Sequence, residues 1–147
     1  MSDIASLIAR LEAATGPSRK LDGDIAATLR IPLLGAPDWL VNWDGDFGAD
    51  AKGQVACLHS DGRRGVNWSP PYLTSLIDDA LRLVPEGHRW LIDRRPMAAQ
   101  RTDGYRAQVY REAHAYASDM SDMPTAWAAT PALALCIAAL RAKAAQQ

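Results

Sequence analysis

The apolar positions at the start of the chain follow a helical rhythm. Ile4, Leu7, Ile8 and Leu11 fall at i, i+3, i+4 and i+7, the stripe of an amphipathic helix. Ser2 is the candidate N-cap, and Gly16-Pro17 ends the pattern because neither residue continues a helix well. A second, shorter helix is predicted after Ser18, carrying Leu21, Ile25 and Leu29, until Pro32 removes the next amide donor. The two would form a helical hairpin or corner.

Between residues 33 and 70 the rhythm changes. Pro, Gly, Asp and Trp separate two short apolar stretches, Trp39-Leu40-Val41 and Val55-Ala56-Cys57-Leu58. They read as two short strands joined by a turn-rich loop at Asp44-Gly45-Asp46 and beyond. Asp61-Gly62 marks the next tight turn. Leu73, Leu76, Ile77, Ala80, Leu81 and Val84 then make a continuous apolar stripe, so a third helix is predicted between Pro71 and Pro85.

Two strands follow, Arg89 to Asp93 and Tyr105 to Arg111, joined by a long hairpin loop containing Pro96. In the second strand Tyr105, Ala107 and Val109 alternate with Arg106, Gln108 and Tyr110, the pattern of a half-buried antiparallel strand. The last helix has a full start signal, with Thr130 as N-cap and Pro131 at the first helical position. Leu133, Ile137 and Leu140 follow at helical spacing, with Cys136 beside them. Helices before and after a cluster of short strands predict the α+β class: one domain over residues 1–147, a small antiparallel sheet layered with helices in an α/β/α-type sandwich. No repeat, low-complexity tract or linker interrupts it.

Composition fits that picture. A chain of 147 residues with 48% hydrophobic and 22% charged residues can bury a core without disulfide or metal staples. The two cysteines, Cys57 and Cys136, form no CxxC pair, which suits a reducing compartment, with one long-range disulfide as the alternative. The N-terminal pattern is amphipathic and unlike a signal peptide, and the run Ala126 to Leu140 is too short to span a bilayer. The expectation is a protein of the bacterial cytoplasm. Arginine outnumbers lysine 13 to 3, as GC-rich codons produce, which points to a high-GC bacterium or its phage.

Three stretches carry a resemblance. They are LEAATGPSRKLD (Leu11 to Asp22), Pro71-Tyr72 followed by TSLIDDALRLVPEG (Thr74 to Gly87), and ATPALALCIAALRA (Ala129 to Ala142). In this order the chain resembles the phage ABA sandwich domain family of small phage and prophage proteins, with Leu73 standing as an insertion. The resemblance implies a layered sandwich and a phage setting. It supplies no activity, catalytic residue or cofactor, and the stretch from Trp39 to Trp68 takes no part in it.

Candidate chemistry is sparse. Asn42, Asp44, Asp46, Gly48 and Asp50 alternate like a calcium loop, but the glycine is one position late and Gly53 stands where a bidentate glutamate belongs. His59, His88 and His114 lack metal-ligand spacing. Cys57 and His59 share a strand face without forming a nucleophile–base pair, and Ser69 and Ser75 have no recognisable base. No catalytic, metal or cofactor residue is nominated, and no cofactor is expected.

Charge and tryptophan are more informative. From Trp39 to Asp50 there are three acidic residues and no basic one. From His88 to Arg111, Arg89, Arg94, Arg95, Arg101, Arg106 and Arg111 stand against Asp93 and Asp103, a net of +4. This is the profile of a hairpin that docks on an anionic partner, or of an ordinary solvated face. The overall charge of −1 gives no general pull to nucleic acid or membrane. Of five tryptophans, Trp90 and Trp127 are expected in the core, while Trp39, Trp43 and Trp68 lie in charged, loop-rich sequence that suits an interface.

The reading that follows is a non-catalytic phage or prophage binding protein. Its most concrete form is a counter-defence inhibitor, anti-CRISPR-like, docking on a host nuclease complex such as a CRISPR–Cas effector. The candidate interaction residues are Trp39, Trp43, Asp44, Asp46, Arg63, Arg64, Trp68, Arg94, Arg95 and Arg101. An accessory protein of phage assembly or packaging is the first alternative, and an enzyme with an unrecognised site the second.

Overall fold

Asp3 starts the first helix. Its carboxylate accepts the Ser6 amide at 2.7 Å, so the cap falls one residue later than the Ser2 expected from sequence, and α1 runs Ile4–Ala13. Ser18 caps α2 (Arg19–Leu29) through the Leu21 amide at 3.2 Å. The computed structural model describes residues 3–31, 40–43, 49–50, 52–59, 61–94, 104–111 and 125–146. Helix α2 ends on Arg30 in left-handed backbone, φ 53°, with the Ile31 amide returning to the Ala26 carbonyl at 3.0 Å. The last turn is therefore closed before Pro32, a position outside the described residues.

The strands divide between two antiparallel sheets of three. The first is β1 (Leu40–Trp43), β2 (Val55–His59) and β3 (Arg64–Trp68), in that order. Strand β3 was not foreseen: its sequence is RGVNW, and one valine is too weak a signal for a strand. It is paired because the Asp61-Gly62 turn, with Gly62 at φ 87°, folds it back on β2. The second sheet has the order β4 (His88–Asp93), β5 (Tyr105–Arg111), β6 (Thr125–Ala128). Register from His88↔Arg111 to Asp93↔Arg106 is unbroken, as the expected hairpin requires. Strand β6 lies at the head of the apolar run that starts at Ala126, and its own four residues, TAWA, carry no strand alternation signal strong enough to predict it.

The third helix is much shorter than its stripe predicts. Residues 72–76 form a turn, α3 is only Ile77–Ala80, and a 3-10 turn Leu81–Leu83 follows. Side-chain acceptors, one distant and one local, override the helical pattern here. The Thr74 amide goes to Asp22 and the Tyr72 amide to Asp79, each at 2.7 Å, while Leu76 and Ile77 stay exposed.

Helix α4 (Pro131–Ala145) begins as expected, with the Thr130 hydroxyl accepting the Leu133 amide and Pro131 in the first turn. It is buried at every position from Ala132 to Leu140. Such a helix has no solvent face and must be enclosed by other elements. One side lies on β5 and β6, and the rest meets α1, α3 and the 3-10 turn. Ala107, Val109 and Ala126 from the sheet and Leu7 and Leu11 from α1 complete this core. The result is a single small α+β domain. Among the described residues no helix is long and apolar enough to cross a membrane.

Candidate functional site

Charged residues are almost never fully buried unless paired, so Asp22 and Asp24 on α2, 1% and 4% exposed, need a reason. Each has one. Asp22 Oδ1 accepts the Thr74 amide, and its Oδ2 accepts Arg19 Nη1 at 2.7 Å. The same guanidinium donates to the carbonyls of Pro70 and Pro71 and lies over the Tyr72 ring, 3.9 Å from its centroid. Thr74 closes the circuit: its hydroxyl accepts the Ser18 amide at 2.8 Å and donates to the Ser18 carbonyl at 3.2 Å.

Asp24 does the equivalent two residues on, on the opposite side of the same helical turn. Its Oδ1 accepts the Ala49 amide at 2.8 Å, and its Oδ2 takes Arg10 at 2.6 Å and Lys20 at 3.2 Å. Burial pushes this carboxyl up, yet the Ala49 amide and the two cations more than offset that and hold it below its ordinary value. Between the two acids, Gly23 lets the chain approach: a Cβ there would sit 2.2 Å from the Gly53 carbonyl oxygen. Gly53 in turn has φ +82° and faces the Arg19 carbonyl.

Ser18 and Asp22 therefore meet Thr74 in space, and beside them the Cys136 thiol donates to the carbonyl of the intervening Leu73 at 3.0 Å. Chemically this is a fastening. Every described buried side-chain nitrogen or oxygen has a partner. Both thiols are buried and unpaired with each other, and burial pushes each up from its ordinary value. Among the described residues no group of three or more His, Cys, Asp or Glu could hold a metal ion.

The surface offers more. Strand β4 lies at the edge of its sheet among the described residues, and Arg89, Trp90 and Leu91 are exposed along it. Trp90, expected in the core, is 44% exposed. Its cross-strand partner Val109 is buried, so Trp90 points to the α4 side of the sheet. The helix covers β5 and β6 and leaves the edge strand largely clear. Leu91, 37% exposed, lies on the other face with Arg89. At the end of the strand Arg94 is exposed, 5.9 Å from the Tyr105 centroid. Inside the hairpin Arg106 and Asp93 pair in two hydrogen bonds, 3.0 and 2.5 Å long, which neutralises one of the arginines counted in the sequence.

The residues singled out from sequence are scattered relative to this edge. Trp68 is half-buried and packs against the core instead of standing free as an anchor. Arg63 is exposed, but Asp61 in the same turn takes its Nε at 2.7 Å. Trp43 and Arg64 lie in β1 and β3 with side chains outside the described residues, as is that of His59. Trp39, Asp44, Asp46, Arg95, Arg101 and His114 lie wholly outside them, and so does most of the calcium-like loop. Asp50, at its end, accepts the amides of Lys52 and Gln54 and so serves a turn. Ser69 and Ser75 are exposed, and His88 Nδ1 lies 3.2 Å from the Glu86 carbonyl. Trp127 is half-buried.

Sequence reasoning missed Asp22, Asp24 and Thr74. The available signal was Gly23, a glycine in the middle of a helix, which marks either instability or close contact. Set against protein-family models, curated proteins and solved structures, the chain matches none.

Proposed function

We propose that this chain is a non-catalytic binding protein of phage or prophage origin that acts in the bacterial cytoplasm by docking on a host protein complex. Its most concrete form is a counter-defence inhibitor of a nuclease complex of the CRISPR–Cas type. The observation that carries the binding role is the β4 edge, where Trp90 and Leu91 are exposed between Arg89 and Arg94. An edge strand offers backbone donors and acceptors to an added strand. Exposed Trp and Arg are the residue types that concentrate binding energy. The positive charge selects an acidic, extended protein segment over nucleic acid, whose long uniform backbone would call for a broader basic face. The buried carboxylates and thiols support the same reading, since they are engaged in holding the fold. The phage setting rests on the sequence resemblance.

The test is capture from nuclease-treated host lysate with the native chain and with Trp90→Ala plus Arg94→Glu, identified by mass spectrometry. A stoichiometric host complex, held by the native chain and lost with the double variant, is the expected result. Recovery of phage particle proteins alone would favour an assembly role, and equal recovery by both chains would remove the β4 edge from consideration.

A further inference from the structure

An open sheet edge invites another strand, and proteins ordinarily cover it or place charge along it. Among the described residues no strand pairs with the outer side of β4, and Trp90 and Leu91 stand exposed at its middle. Helix α4 lies mainly over β5 and β6, clear of this edge.

The order of side chains along the strand says what fits there. From Arg89 to Asp93 it reads RWLID. Lay this segment antiparallel on a second copy, with the two-fold axis at Leu91. Leu91 then meets Leu91, Trp90 meets Ile92, and Arg89 meets Asp93. Opposite residues of an antiparallel pair point to the same face of the sheet. Both Trp90–Ile92 contacts therefore fall on the α4 face, where the β5 partners Val109 and Ala107 are buried. Both Arg89–Asp93 contacts fall on the other face, on either side of the leucine pair.

Neighbouring registers lack this match. An axis at Trp90 sets Arg89 against Leu91 and Asp93 against Gly87, and an axis at Ile92 sets Leu91 against Asp93. The register at Leu91 alone of the three pairs apolar with apolar and charge with opposite charge. Asp93 already receives Arg106 on both oxygens. Each carboxylate oxygen has a second lone pair, so Asp93 can accept Arg89 of the second copy without releasing Arg106.

The helices leave room. With strands ~4.8 Å apart, two copies of α4 seated over β5 and β6 would stand about 19 Å apart, against a helix diameter of ~10 Å. Trp90 and Ile92 of both copies form the floor between them.

We propose that a second copy of this chain occupies the β4 edge in the free protein, joining two three-stranded sheets into one of six strands. The dimer uses the edge assigned above to a host segment, yet it does not depend on that assignment. One strand fits at a time, so the two occupants exclude each other. The matched edge is short, so the dimer is weak and forms at high protein concentration.

The test is sedimentation of the purified native chain from micromolar to millimolar concentration, where it should pass from monomer to dimer. Arg89→Glu sets like charges opposite each other and Leu91→Lys sets two cations at the axis, so both variants should stay monomeric with native circular dichroism. Cysteine substitution reads the register, because Cys57 and Cys136 are buried. Leu91→Cys should link two copies under mild oxidation. Arg89→Cys should not, since the two copies of that position lie about 13 Å apart, beyond the ~7 Å a disulfide spans. A native chain that stays monomeric throughout, a dimer indifferent to Arg89→Glu and Leu91→Lys, or equal linking by the two cysteine variants would overturn the proposal. Host capture by a strictly monomeric native chain would sink the dimer and leave docking standing, while a dimer with this register and no host capture would do the reverse.

Discussion

The amide of Thr74 donates to Asp22 Oδ1 at 2.7 Å, linking residues 52 positions apart at a point closed to water. The bond joins α2 to the turn that precedes α3, and Arg19 reinforces it from the same helix by holding the Pro70 and Pro71 carbonyls. Removing one partner of such a buried pair leaves the others uncompensated. Asp22→Ala should lower unfolding free energy by about 3–5 kcal/mol, read from urea denaturation. Asp22→Asn keeps an acceptor for Thr74 and should lose about half as much.

Two glycines with nearly the same φ should respond differently to alanine. Gly62, at φ +87°, has open space where a Cβ would go, so Gly62→Ala should cost about 1–2 kcal/mol from backbone strain alone. At Gly53, φ +82°, the Cβ would also meet the Arg19 carbonyl oxygen at 2.1 Å. Overpacking of that kind should add a further ~1–3 kcal/mol to Gly53→Ala, so the two denaturation midpoints should separate clearly.

Asp24 predicts an acid-sensitive component of stability. Burial raises its folded pKa, but the Ala49 amide, Arg10 and Lys20 outweigh that desolvation and hold it below the ordinary carboxylate value. The unfolded chain therefore takes up the proton first on acidification. The stabilisation is complete above the unfolded pKa, starts to fall as pH approaches it, and is gone once pH has passed below the folded pKa. In urea titrations from pH 6 to pH 3, Asp24→Asn should start less stable and show a shallower decline than the native chain.

Cys57 and Cys136 are both inaccessible in the folded protein, and burial disfavours both thiolates. Modification by a thiol reagent must wait for the chain to open. Labelling of the native protein should be slower than that of the urea-unfolded protein by several orders of magnitude. Rapid reaction of Cys136 under native conditions would show that α4 separates from the Leu73 turn more easily than the close packing implies.

Much of the fold was readable from local pattern. The start of α2, the β4–β5 hairpin and the Thr130-Pro131 start of α4 follow from caps, alternation and proline, all of which act over a few residues. The failures have a common physical origin in distant partners. The stripe from Leu73 to Val84 reads as a helix, yet Asp22, 52 positions away, claims the Thr74 amide near its start. Strands β3 and β6 exist because neighbours supply hydrogen bonds that their own residues do not advertise. Trp90 looked like a core residue because its neighbours are apolar, but edge position is a property of the sheet and is invisible in sequence. The Asp22–Asp24 fastening was hidden because aspartate on a helix ordinarily means solvent.

Helix α4 bears on how the chain can be made. A ribosome delivers residues 131–140 after every other described helix and strand, yet α1 and the β4–β5–β6 sheet both close on them. Until that segment emerges, Leu7, Leu11, Ala107 and Val109 have no complete apolar surface to cover them. Synthesis thus proceeds with the future interior open to chaperones and to self-association. A nascent chain halted before Pro131 should contain no protease-resistant native fragment, and compaction should arrive in one late step.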